Sequence, residues 1–163
     1  MRPIITLLLA AALVAALPAG SSLAGAAPTR HATTTAPADA DAHAARRGIT
    51  ITTRKVGSFG RILVDGRGMP LYTFSRDGRS SRCYGACAAA WPVTYAKGNA
   101  VARGDARQAL VGRVRRNDGR FQATYAGKPL YYYVNDRPGV ALCHNVNEFG
   151  GLWLLIRATG RRV

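Results

Sequence analysis

The stretch Gly60–Asp77, GRILVDGRGMPLYTFSRD, recurs 59 residues later as Gly119–Asp136, GRFQATYAGKPLYYYVND. Aligned without a gap, seven of the eighteen positions are identical. Average residue frequencies give about one such match by chance, so the segment is an internal duplication. With one further residue of slip Cys83 falls on Cys143, and each copy then runs on to a tryptophan, Trp91 or Trp153.

The pattern inside each copy is that of strands. Ile49 to Thr53 alternates, Gly57 to Gly60 interrupts, Ile62-Leu63-Val64 resumes, and Asp65 to Gly68 turns into Leu71 to Phe74. The second copy follows with a strand over Val111 to Arg116, a turn at Asn117-Asp118-Gly119, Phe121 to Tyr125, a turn at Ala126-Gly127, and a strand over Leu130 to Val134. Asx-Gly and Gly-containing turns tolerate the positive φ that tight hairpins need. Pro70 and Pro129 open the last strand of each copy, where a missing N–H is cheap. Period-2 alternation puts Tyr72 and Phe74 on one face and Leu71 and Thr73 on the other; in the second copy Tyr131 and Tyr133 oppose Leu130, Tyr132 and Val134. A strand apolar on both sides must be covered on both. Trp153 to Ile156 reads as a final strand, and short helices are expected over Ala86–Trp91 and, capped by Asp105, over 105–111. The expectation is an all-β, mainly antiparallel domain: a two-repeat β-meander sandwich or barrel of about seven or eight strands, with repeats near 49–95 and 108–157.

Upstream the composition changes. A basic start (Met1-Arg2-Pro3), a run of small and aliphatic residues from Ile4 to Leu17, and the small-x-small Ala24-Gly25-Ala26 read as a secretory signal over residues 1–26. The fourteen-residue run is too short for the roughly 20 residues that span a bilayer. Residues 27–48 carry no aliphatic side chain larger than alanine and read as a disordered spacer, with His31 and His43 solvated within it. No cysteine precedes Cys83, so no lipobox is present. The mature form is expected outside the cytoplasm, with no transmembrane helix.

The chain carries 23 Lys and Arg against 8 Asp and Glu, a formal net charge of +15. Such a field attracts anions: wall polymers or lipid headgroups of an envelope, and less plausibly nucleic acid in that compartment. A GC-rich genome also favours arginine.

Tyr72-x-Phe74-x-x-Asp77 and Tyr131-x-Tyr133-x-x-Asp136, with Cys83-x-Gly85-x-Cys87-Ala88 leading to Trp91-Pro92, resemble a family of small bacterial secreted proteins and lipoproteins built on a repeated Tyr-x-aromatic-x-x-Asp motif. The family is a secreted repeat of unknown function, so the likeness implies architecture and no activity. It also marks Trp153 as the counterpart of Trp91. The residues leave three pairings of Cys83, Cys87 and Cys143 open, and chain entropy alone favours the long loop to Cys143. The family's self-contained cysteine box implies Cys83 with Cys87.

Other chemistry is thin. Cys83, Cys87, Cys143 and His144 would suit a soft metal if the repeats brought them together, which makes an extracytoplasmic redox or metal-handling protein the alternative reading. Arg82 beside Cys83 would favour a reactive thiolate. Asp77 and Asp136 would act as a hydrolytic pair only if they faced each other across a cleft; otherwise each caps the end of its strand by accepting loop N–H groups. Seven tyrosines and two tryptophans could form an aromatic platform beside arginines, although alternation already assigns several to the core. The leading expectation is a non-enzymatic, cofactor-free binding module for an anionic envelope component or a secreted protein partner.

Overall fold

The computed structural model describes residues 48–163. The signal read over 1–26, and all of the spacer but its last residue, lie outside the described residues. Nine strands follow: β1 Thr50–Lys55, β2 Arg61–Asp65, β3 Tyr72–Phe74, β4 Val101–Ala102, β5 Val111–Arg115, β6 Phe121–Tyr125, β7 Lys128–Pro129, β8 Val146–Glu148 and β9 Gly151–Leu155. They form three-stranded sheets ordered β2-β1-β4, β3-β9-β8 and β5-β6-β7. All pairings are antiparallel except β1 with β4. The expected all-β class holds, as small sheets and not a closed barrel.

The hairpins β1–β2 and β5–β6 are built alike. Val56 donates its N–H to Gly60 O at 3.0 Å, and Arg116 donates to Arg120 O at 2.9 Å. Lys55 pairs with Arg61, and Arg115 with Phe121. These equivalences are 60 residues apart, so Gly60 and Arg61 are not the structural counterparts of Gly119 and Arg120. The uninterrupted 59-residue alignment is thereby corrected: its shift holds only after the following turn, which is one residue longer in the first copy. There the Leu71 N–H reaches Leu63 O, whereas the Leu130 N–H reaches Ala123 O. The shorter turn is the tight Ala126-Gly127 pair with φ of 49° and 72°, the positive values a two-residue hairpin demands. The longer one is pinned by Asp65 Oδ1, which accepts the N–H groups of Arg67 and Met69 at 2.9 Å each.

The copies then exchange partners. β3 of the first copy pairs with β9 at the end of the second: Tyr72 opposite Leu155, Phe74 opposite Trp153. Tyr131 of the second copy bridges Val93 of the first, and the N–H groups of Tyr132 and Val134 reach Pro92 O and Ala90 O. Where they meet, Tyr72 and Tyr131 bond each other's backbone both ways, at 2.9 and 3.0 Å. That mutual pair marks a local pseudo-twofold axis. The strand expected over Leu130 to Val134 is reduced to isolated bridges, because its partner carries Pro92 where β9 carries Leu154, and proline has no N–H for the ladder.

Two apolar clusters cover the axis strands from opposite sides. Tyr72, Phe74, Tyr131, Trp91 and Trp153 belong to one, Leu71, Leu130, Ala123, Tyr125 and Ile156 to the other. Period 2 thus sorts these side chains as read, except that Val134 is exposed. One helix forms, α1 over Ala86–Ala90, entered through Gly85 at φ 55° and ended before Pro92. The helix expected from Asp105 does not. Its carboxylate is engaged by Arg61 Nε at 2.8 Å and Thr53 Oγ1 at 2.9 Å, leaving a single 3-10 turn at Gln108–Leu110.

Candidate functional site

The family-motif residues converge on the axis, and their bonds cross it. Tyr72 Oη donates to Asp136 Oδ2 at 2.8 Å, and Tyr131 Oη donates to Asp77 Oδ2 at 2.7 Å. Each aspartate also accepts one loop N–H: Asp77 from Arg82, Asp136 from Leu142. The capping role read from sequence is therefore half of what these carboxylates do; the other half is to hold the tyrosine of the opposite copy. Burial pushes both carboxyls above the usual range against those hydrogen bonds, and it also pushes both phenols upward. With Asp136 buried, Asp77 half-buried, and each already holding the phenol of the other copy and a loop N–H, the two do not form an open hydrolytic pair.

The aromatic residues cross in the same way. Trp91 and Trp153, both fully buried, stack with centroids 4.0 Å apart and planes 3° from parallel. Each meets the tyrosine of its own copy edge-on, Tyr72 at 5.2 Å and Tyr131 at 5.1 Å. Each then packs on the second motif aromatic of the other copy: Trp153 on Phe74 at 4.3 Å, Trp91 on Tyr133 at 4.8 Å. Glu148 serves both indoles, its Oε2 accepting from Trp91 Nε1 at 2.8 Å and its backbone O from Trp153 Nε1 at 3.2 Å. The motif thus builds an interior, and the aromatic platform expected from it is core.

Cys83 and Cys87 are disulfide-bonded, and Cys143 is a free, partly buried thiol. Burial raises the Cys143 thiol above its ordinary value, so it is not poised as a thiolate. His144 does not join it. Its Nδ1 accepts the Leu155 N–H at 3.3 Å, and its ring meets Phe59 edge-on at 5.2 Å. Burial, helped by Arg157, lowers its pKa. The four-residue metal set is corrected accordingly: two members are spent on each other, and no group of three metal-ligating side chains occurs among the described residues. Arg82 gains no thiolate to stabilise, since Cys83 is bonded and buried.

One basic residue was not foreseen. Arg116 is buried, with Nη1 donating to Ser81 Oγ and to Gln122 Oε1, and Nη2 donating to Cys83 O at 2.7 Å. Its guanidinium lies 4.2 Å over the Tyr84 ring. It ties the cysteine loop to the β5–β6 hairpin, and only its position beside a predicted Asx-Gly turn hinted at it. Outside the core two further guanidiniums lie over rings: Arg113 sits 4.4 Å over Phe121 and Arg120 sits 4.2 Å over Tyr95.

The duplicated architecture agrees with the comparison by family model, in which a secreted repeat of unknown function matches residues 51–94 and again 112–156. The chain belongs to that family. Both matched segments contain the hairpin, the Tyr-x-aromatic-x-x-Asp motif and the closing Trp segment of one copy. No curated protein and no solved structure matches. The family is described as secreted, and among the described residues no helix is long and apolar enough to cross a membrane.

Proposed function

We propose that this secreted repeat is a non-enzymatic binding module of the bacterial cell envelope, and that its ligand is an anionic envelope component. The observation that carries this reading is how the charges are spent. All six carboxylates of residues 48–163 already have protein partners, whether buried or exposed: Asp65, Asp77, Asp105, Asp118, Asp136 and Glu148 each accept hydrogen bonds from named protein groups. Of the basic side chains in the same span, only Arg61, Arg67, Arg116 and Arg120 have a carboxylate of the described residues within ion-pair distance. Most of the remainder are exposed cations without a carboxylate partner, on a duplicated scaffold; Lys128, Arg157 and Arg162 are partly buried. Such a surface concentrates polyanions without needing a catalytic constellation.

The test is retention of the purified protein on immobilised teichoic acid or anionic lipid vesicles as salt rises. Between about 0.1 and 1 M the screening length falls from about 10 Å to about 3 Å. Retention should collapse over that range. Retention that stays unchanged, or no retention at low salt, overturns the reading.

A further inference from the structure

Among the exposed cations, one set is organised differently from the rest. Beside the turn end of the β5–β6 hairpin a hollow of about 270 Å³ is lined by Tyr95, Ala96, Lys97, Arg120 and Phe121. Beside it a second hollow of about 300 Å³ is lined by Ala96, Asn99, Gln108 and Arg113 among others. Ala96 lines both, and Arg113 of the second lies over Phe121 of the first. The two guanidiniums are posed on rings: Arg113 on Phe121, and Arg120 on Tyr95. Arg120 is further fixed by Asp118, whose Oδ2 accepts from its Nε at 3.1 Å and its Nη2 at 2.7 Å, while Nη1 has no hydrogen-bond partner among the described residues. No carboxylate lines either hollow.

We infer that this paired hollow is the ligand site, and that it takes a linear polyphosphodiester of the polyol-phosphate type, with successive phosphates met by Arg120 and Arg113 and approached by Lys97. The inference rests on the envelope-binding reading above and gives it an address. A planar guanidinium suits phosphate oxygens, and a ring beneath it holds that plane in place. The guanidiniums cover one face each of Phe121 and Tyr95, which leaves less of those rings for stacking by nucleobases. The features read are therefore the repeating phosphates. A concave trough also fits a chain better than a flat bilayer surface.

Calorimetric titration of the purified protein with poly(glycerol phosphate), at several salt concentrations, decides it. Arg113→Glu/Arg120→Glu should weaken binding about tenfold or more and flatten the salt dependence by about one to two in log–log slope. Lys55→Glu/Arg79→Glu carries the same charge change on exposed residues outside the trough, and should cost about twofold or less. Arg113→Lys/Arg120→Lys keeps charge and fold and should still bind several-fold more weakly, because lysine lacks the planar fork. Equal losses in the two charge-reversed proteins would overturn the trough and leave a diffuse electrostatic surface standing. Tighter binding of a single-stranded oligothymidylate than of the polyol chain would overturn the choice of occupant. Failure of the unaltered protein to bind any polyanion would sink the envelope-binding reading itself.

Discussion

The two halves agree at the axis and part company at the rim. Around Tyr72 and Tyr131 the principal contacts are mirrored, in crossed phenol–carboxylate bonds, edge-on tryptophans and swapped second aromatics, while Ser81 Oγ adds a bond to Tyr131 Oη alone. At the rim the same backbone position is Val56 in one copy and Arg116 in the other, both buried. The valine packs in the core with Cys143 alongside, whereas the arginine reaches across to Ser81 and to the disulfide loop. The difference teaches which parts of the duplicated unit are fixed by mutual burial. A residue at the axis is constrained twice, once by its own copy and once by its partner. A residue at the rim has no matching partner in the other copy: Arg116 bonds Ser81 and the Cys83 carbonyl where Val56 makes no such bond, and the basic trough lies there.

The comparison breaks most violently if the axis is emptied. Trp153→Ala removes a ring shared by Trp91, Phe74 and Tyr131 and should cost about 3–5 kcal/mol, a large share of the stability of a domain this size. Chemical denaturation should show the same order of loss for Trp91→Ala, because the two indoles stack on each other. Tyr72→Phe and Tyr131→Phe should each cost about 1–3 kcal/mol, since each leaves a carboxylate, buried at Asp136 and half-buried at Asp77, without its phenol donor. Near-equal values would sharpen the symmetry.

At the rim the effects should be unequal. Arg116→Met takes a donor from Ser81, which keeps its bond with Tyr131, and from Gln122 Oε1 and the Cys83 carbonyl, for about 1–3 kcal/mol, and should loosen the cysteine loop, read as faster amide exchange there. Cys83→Ala/Cys87→Ala opens a short loop and should cost about 2 kcal/mol on the chain-entropy model. Thiol titration of the unfolded, unreduced protein should then find one free thiol, Cys143, in the unaltered chain. The smallest effect is that of pH. Asp77 and Asp136 hold their protons more tightly folded than unfolded, so their contribution to stability is complete below the ordinary carboxylate value of about 4 and declines as pH rises through the raised folded values. Asp136→Asn should flatten that decline in melting temperature.

Much of this was legible because the duplication is written in residues that only a shared core would keep. The hairpins, the two-sided burial of the Tyr strand and the short helix before Pro92 follow from period, turn chemistry and proline. The crossing of the bonds was not legible. Tyr72 and Asp77 sit in one motif, and nothing in a linear sequence says that each bonds to its counterpart's copy. The one-residue slip was hidden by Gly60-Arg61 and Gly119-Arg120, which match by eye yet occupy different places around their turns. Arg116 and the trough escaped for a common reason: a charged residue in a strand is read as solvated unless its partners, distant in sequence, are already known.

The crossing is also what a double-mutant cycle measures most directly. Tyr72→Phe combined with Asp136→Asn should show a coupling of about 0.5–3 kcal/mol, as expected for groups in contact, whereas Tyr72→Phe combined with Asp77→Asn should be additive to within about 0.5 kcal/mol. Strong coupling within the first copy and none across to the second would mean that the two motifs fold as separate units.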